Sequence, residues 1–221
     1  MTSFPAAARR VRDDALPPRA RLLALRECTL NFAPYGFRAT WHHLVVNARI
    51  PRRLEDDLDS LHRAVDELEE ARALWRTRTA TYPNRRRHEK SAGRRVPPQA
   101  DRWQGNPVHL DCPDFEHHPT DRLATVIRRV ITAHESGTDP TTTCLACDQP
   151  LKGTHRPCPT CGIRPSGAPR AHLPPAVALR AAERWNAVWR RELPAPDATP
   201  GSTPKAGPAP PRDAGPAGGA R

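Results

Sequence analysis

Four of the six cysteines form two Cys-x-x-Cys pairs, Cys144/Cys147 and Cys158/Cys161, in the stretch CLACDQPLKGTHRPCPTCG. Zn²⁺ prefers a closed tetrahedron of soft ligands, and each pair can supply two thiolates about 2.3 Å from one ion. A thioredoxin-like redox motif needs one such pair at the start of a helix that follows a strand. The sequence around these pairs shows no such alternation. The spacing therefore predicts a structural zinc site, with an iron or redox role as the remaining alternative.

The second pair, CPTCG, resembles the knuckles of zinc-ribbon proteins, where Pro often follows the first Cys and Gly follows the second. The first pair, CLACD, departs from that pattern because Asp148 stands where Gly is usual. Between the pairs, Lys152-Gly153 fits the turn of a small β-hairpin. The resemblance covers residues 144–162 and implies a short tetracysteine ribbon that binds zinc structurally. Members of that family serve nucleic-acid machinery, protein contacts or plain stability.

A further group of potential ligands lies upstream, in HLDCPDFEHH. A second metal site is one interpretation, and a polar loop with incidental histidines is the other, because the spacing matches no established ligand pattern. The sequence leaves this choice open. The residues concerned are His109, Cys112, His117 and His118.

The chain is strongly basic, with a formal net charge of +11. The stretch RRRHEKSAGRR concentrates this charge, and Trp103 follows it, so we expect phosphate contacts with DNA or RNA and stacking of Trp103 on an unpaired base. The alternative is a solvated charge run that reflects the general use of Arg in this chain. The expected nucleic-acid-binding residues are Arg85, Arg86, Arg87, Lys90, Arg94, Arg95 and Trp103.

The most regular segment is residues 52–79, which we predict to be one long amphipathic helix. Its apolar residues alternate spacings of four and three, which is typical of a helix with one narrow apolar stripe. The stripe can pack against a neighbouring helix of the same chain or pair with a second copy in a homodimer. Its members are Leu54, Leu58, Leu61, Val65 and Leu68.

The sequence as a whole predicts a mainly α fold: a small helical domain with a short zinc-ribbon β-hairpin inserted before the last helix, and disordered termini. In residues 119–137, Thr120 is the expected N-terminal cap and Gly137 the expected stop. The predicted segments are a flexible arm (1–18), a helical region (19–79), a basic Pro-rich loop (80–118), a helix (119–137), the zinc ribbon (140–165), a C-terminal helix (174–193) and a disordered tail (194–221).

Catalytic signatures are missing from the sequence, which has no Gly-rich phosphate loop, nucleophile elbow or zinc-protease helix. No apolar run approaches the ~20 residues of a membrane span, and the N-terminus lacks an apolar signal region. We therefore expect no enzyme and no membrane partner, and a cytoplasmic location where thiols stay reduced. The expected function is a non-enzymatic zinc-binding adaptor or regulator that binds nucleic acid. The alternative is a protein-interaction module, dimeric through residues 52–79.

Overall fold

The computed structural model describes most of the chain as a mainly helical structure with six α-helices in the described part. Residues 2–105, 107–151, 156–164, 179–180, 182–183 and 185–186 are described. The helices are α1 (Phe4–Val11), α2 (Pro18–Asn31), α3 (Phe37–Asn47), α4 (Asp59–Thr79), α5 (Tyr82–Ser91) and α6 (Leu123–Glu135), with short 3-10 helices at Leu54–Asp56 and Gln99–Gly105. Over the same residues, β pairing is limited to an antiparallel bridge between Thr143 and Pro150.

The centre of the fold is the packing of α4 against α6, with α1, α2 and α3 around α4. Most of the predicted apolar stripe lies inside this core, where Leu61, Val65 and Leu68 are 0% exposed and Leu58 is half-buried. Burial of such side chains contributes roughly 1.5–3 kcal/mol each. The stripe therefore packs within one chain, which favours the first of its two predicted roles over pairing with a second copy.

The long helix begins later than predicted, at Asp59 rather than at residue 52. Just before it, the Asp57 backbone is extended, with φ −161°. Its side-chain Oδ1 accepts a hydrogen bond from Ser60 N–H at 3.1 Å, and its carbonyl accepts one from Ser60 Oγ at 2.6 Å. Such local bonds to Asp57 compete with helical hydrogen bonding, so the regular helix starts only after Asp57.

Residues 4–11 form a helix, so the prediction of a flexible arm over residues 1–18 is wrong for this part. Helix α1 packs on α2 and α4, and the Arg12 guanidinium joins it to Asp66 and Glu69 of α4 at 2.6 Å each. A four-residue apolar stripe at helical spacing explains the difference, because burying it offsets the entropy of ordering the segment. The buried residues are Phe4, Ala7, Ala8 and Val11.

The predicted loop over residues 80–118 is also wrong in part, because α5 occupies Tyr82–Ser91. Pro83 lies in the first turn, where its missing N–H and fixed φ are tolerated. The other described residues of this range form no α-helix, as expected, and those near its end are packed into the fold. Val108, Leu110 and Phe115 are 8% exposed or less, so the apolar side chains of residues 107–119, which we call the docking loop, belong to the core.

Helix α6 lies within residues 119–137, where a helix was predicted, but its N-terminal cap is not the predicted one. The helix begins at Leu123, and neither Arg122 nor Thr120 supplies a side-chain cap. At the other end, Gly137 has φ +71°, which suits glycine because it lacks the Cβ that penalises left-handed backbone. The predicted stop at Gly137 is confirmed.

The C-terminal prediction lies mostly outside the described residues. Within residues 174–193, the described positions are helical, and Trp185 is buried against Phe115 and Phe37 with ring centroids 5.3 and 6.2 Å apart. The predicted tail over residues 194–221 and the Lys152-Gly153 hairpin turn lie outside the described part. Among the residues that are described, no helix has the length and apolarity required to cross a membrane.

Candidate functional site

The four cysteine sulfurs converge on one point. All four Sγ atoms lie within 4.8 Å of one another, with Cys144 and Cys161 3.5 Å apart and Cys147 and Cys158 3.6 Å apart. Tetrahedral Zn²⁺ with bonds of about 2.3 Å would separate its sulfurs by about 3.8 Å, whereas a disulfide needs about 2.05 Å. All the cysteines are free thiols. The donor set and its spacing fit one thiophilic metal ion.

The two Cys-x-x-Cys pairs form turns that share the same backbone hydrogen bond. Asp148 N–H donates to Cys144 O and Gly162 N–H donates to Cys158 O, both at 2.8 Å. Asp148 and Gly162 both have left-handed backbone, with φ +60° and +72°. Asp is one of the few residues with a side chain that enters this region readily, so Asp148 occupies the position that glycine usually takes and leaves the knuckle geometry intact.

The sulfurs differ in how readily they ionise without a metal. A hydrogen bond from the Cys161 thiol, aided by the backbone N–H groups of Ala146 and Cys147, lowers the pKa of Cys144 to about 5 despite its burial. Donating that hydrogen bond to Cys144 raises the pKa of Cys161, and burial raises the pKa of Cys147 to about 12. A cysteine ligates a metal as the thiolate, so an ion that binds here must displace the protons of Cys147 and Cys161.

The first knuckle, the turn that contains Cys144 and Cys147, packs against α6. Leu145 and Ala146, between its two cysteines, are 8% and 0% exposed and belong to the hydrophobic core. The Arg129 guanidinium of α6 donates to Ala146 O at 3.3 Å. The metal centre is therefore part of the helical core and not a separate appendage.

The second knuckle rests on the docking loop. Arg164 N–H donates to Asp111 O at 2.8 Å, and the Arg164 guanidinium lies 3.2 Å from the Asp111 carboxylate. At Gly162, an added Cβ would stand 2.0 Å from His117 O. No sequence pattern points to Arg164 and Asp111, because contacts between segments this distant leave no local signal.

The upstream ligand group does not assemble into a second site. The Cys112 thiol donates to His117 O at 2.8 Å, and His118 faces His42 of α3. His109 and His117 are exposed. In the described part of the chain, the four paired cysteines form the one group of His, Cys, Asp or Glu side chains close enough to share an ion.

Two of the predicted phosphate-binding arginines already have acidic partners. Arg86 is 7% exposed, pairs with Glu89 and donates to the carbonyls of Arg95 at 2.7 Å and Arg94 at 3.4 Å, so it fixes the shape of the segment. Arg85 is exposed, but its guanidinium lies 3.1 Å from the Asp101 carboxylate.

The other four basic residues of the segment are exposed. Arg87 and Lys90 are three residues apart on α5 and so share one side of the helix. After α5, Gly93 adopts φ +83°, and Arg94 N–H donates to Glu89 O at 2.9 Å. The turn carries Arg94 and Arg95 just beyond the helix end. We call Arg87, Lys90, Arg94 and Arg95 the basic surface.

Trp103 already has stacking partners inside the protein. Its indole is parallel to the His134 imidazole, with ring centroids 5.0 Å apart and planes 4° apart. It also meets the Trp75 ring at 5.5 Å in an edge arrangement. These contacts correct the expectation that Trp103 is available to stack on a base. Trp75 stands seven residues after Leu68 and so continues the helical spacing of the apolar stripe.

The four-cysteine site and the basic surface lie on different parts of the fold. The cysteines lie between α6 and the docking loop, and the basic surface lies on α5 and the turn that follows it.

The chain has no significant match among protein-family models, curated proteins or solved structures.

Proposed function

We propose that this protein is a non-enzymatic, zinc-binding adaptor or regulator that contacts the phosphate backbone of nucleic acid through the basic surface. The observation that supports this function is the exposure of Arg87, Lys90, Arg94 and Arg95 on a segment held in place by Arg86. Interactions with phosphates supply most of the sequence-independent affinity of such proteins.

Zinc has a structural role in this proposal. Four thiolates would fill the tetrahedral coordination of Zn²⁺ and leave no position for a substrate, which favours a stabilising site over a catalytic one. Bound zinc would join the first knuckle, on α6, to the second knuckle, on the docking loop. Reduced cysteines are required for this role, so we place the protein in the cytoplasm.

The expected ligand is a duplex more than a single strand. Binding of unpaired bases relies on aromatic side chains on which the bases stack. In α5 and the 3-10 helix after it, Tyr82 is 8% exposed and Trp103 stacks on His134. The basic surface therefore offers charge without a stacking platform, which suits DNA or RNA backbone contacts with little sequence preference.

A salt-dependent titration tests this proposal. Zinc-loaded full-length protein is titrated against labelled duplex DNA, duplex RNA and single strands at several salt concentrations. Each phosphate contact on a duplex should contribute about −0.9 to the slope of log affinity against log salt. Changing all four residues of the basic surface to Ser should flatten the slope and weaken binding.

A matched control separates the basic surface from net charge. Arg9, Arg19, Arg52 and Arg53 are exposed basic residues elsewhere, and changing these four to Ser removes the same charge. This control should retain most of the slope. Absence of binding at low salt, or equal loss in both variants, would contradict the proposal.

A protein-interaction role is the second candidate, and helix α2 gives it a specific location. Leu23 and Leu30 are 42% and 54% exposed and, seven residues apart, lie on the same face of the helix. Sedimentation of the wild type and of a Leu23→Ser, Leu30→Ser variant tests the simplest case, self-association. A wild-type protein that stays monomeric at all concentrations would exclude self-association.

A further inference from the structure

His43 Nδ1 of α3 lies 3.0 Å from Pro119 O of the docking loop, and a second hydrogen bond between α3 and this loop pairs two histidines. His42 Nδ1 lies 2.9 Å from His118 Nε2. His118 Nδ1 lies 3.0 Å from Pro119 O, and a carbonyl can only accept, so His118 Nδ1 carries the proton. His118 Nε2 is then the acceptor, and His42 Nδ1–H is the donor. The bond requires a neutral His118.

The surroundings of His118 favour this neutral form. Its ring is 7% exposed, stacks on Tyr35 with centroids 6.1 Å apart and lies 5.2 Å from the His43 ring. Burial, together with the neighbouring histidines, lowers the pKa of His118 to about 4 despite its hydrogen bond to Pro119. Burial also lowers the pKa of His42.

The nearest buried carboxylate is already engaged. Glu67 Oε1 lies 2.9 Å from His43 Nε2 and accepts from Leu123 N–H at 2.9 Å. It is therefore committed to other partners and leaves a protonated His118 without a counterion. The other titratable groups around the pair are Asp114 and Glu116 near His42, His117 near His118, and Cys112, Cys161 and Asp121 near Tyr35.

A proton on His118 Nε2 would point at His42 Nδ1–H, so the hydrogen bond would be replaced by two donors facing each other. The added charge would also be buried without a partner, which is costly. His118 ends the docking loop, whose Asp111 and His117 contact the second cysteine knuckle. Loss of the bond would thus loosen the surface on which that knuckle rests.

We infer that the hydrogen bond between His42 and His118 is a pH-sensitive latch that holds the docking loop, and with it the second cysteine knuckle, against α3. The latch is closed while His118 is neutral and opens when His118 Nε2 is protonated.

The direction of the pH dependence follows from the lowered pKa. The unfolded chain takes up a proton on this residue near its ordinary value of 6.5, whereas the folded protein does so only near 4. The unfolded state therefore binds more protons in this window, so the free energy of unfolding falls as the pH decreases. The contribution of His118 is fully present above about pH 6.5 and is lost progressively toward pH 4.

The test uses zinc-loaded full-length protein between about pH 7 and pH 5, the range in which an ordinary histidine titrates. Urea midpoints report stability, and amide hydrogen exchange reports opening of residues 108–118. Zinc content is measured at each pH, so that metal loss is separated from opening of the latch. Wild-type midpoints and loop protection should fall together as the pH decreases.

Two variants isolate the latch. His118→Asn should remove most of the pH-dependent decrease in the urea midpoint, because the titrating group is gone. His88→Gln changes an exposed histidine on α5 and should keep the full wild-type decrease. An unchanged pH dependence in His118→Asn would overturn the inference.

A direct measurement covers the case in which His118→Asn fails to fold. In the wild-type protein, NMR titration of the His118 ring protons should show no change between about pH 7.5 and pH 5.5, the range in which an ordinary histidine titrates. Titration of His118 near its ordinary value would overturn the inference.

Discussion

Glu67 of α4 accepts a hydrogen bond at 2.9 Å from the backbone N–H of Leu123, the first residue of α6. The same carboxylate oxygen lies 2.9 Å from His43 Nε2 of α3. Burial alone would raise the pKa of Glu67, yet the bonds from His43 and Leu123 lower it. One side chain thus caps α6 and ties three helices together.

Changing Glu67→Ala should lower the free energy of unfolding by about 3 kcal/mol, because it leaves the buried His43 Nε2 and Leu123 N–H without their acceptor. Glu70→Ala is the matched control on the same helix, since Glu70 makes an exposed ion pair with Arg122 worth at most about 1 kcal/mol. Urea denaturation at neutral pH measures both. Equal effects would show that Glu67 does not have this capping role.

Purified protein should contain one zinc ion per chain, and Cys158→Ser should lose it and unfold the knuckles, because ligation supplies the folding energy of such sites. Zinc binding at neutral pH should release protons, since burial raises the pKa of Cys147 to about 12. Cys28→Ser, which alters a buried thiol in α2, should keep the metal. Metal analysis of protein purified under reducing conditions that shows no zinc would contradict this prediction.

The two left-handed positions should respond differently to alanine. Asp148→Ala keeps a Cβ in left-handed backbone and removes only the short polar side chain that eases this conformation, whereas Gly162→Ala introduces a Cβ there at a cost of roughly 1–2 kcal/mol. At Gly162 the new atom would also stand 2.0 Å from His117 O. Gly162→Ala should therefore lose more stability and release zinc to a chelator faster than Asp148→Ala. Similar behaviour of the two variants would argue against tight docking of the knuckle.

Trp103→Ala should lower stability by about 2 kcal/mol, less than for a fully buried aromatic residue, because the half-buried indole packs against His134 and Trp75. The ratio of single-strand to duplex affinity should stay unchanged, because the ring is engaged within the fold. Thermal unfolding and titrations with both substrates measure these effects. Selective loss of single-strand binding at unchanged stability would restore the base-stacking hypothesis.

The sequence by itself determined the features that depend on neighbouring residues. Two Cys-x-x-Cys pairs predict a shared metal site because each short turn presents both sulfurs to the same side. The apolar period of α6 predicts a helix because residues three and four apart share a face, and Gly137 marks its end. Each of these inferences requires only a few consecutive residues.

Contacts between residues that are distant in the chain follow only from the tertiary structure. Leu61 faces its own chain because the surrounding core buries it completely. Arg86 donates hydrogen bonds to the carbonyls of Arg94 and Arg95. Helix α6 is capped by Glu67 rather than by Thr120. Such contacts join residues whose separation along the chain bears no relation to their distance in the fold, so no local pattern encodes them.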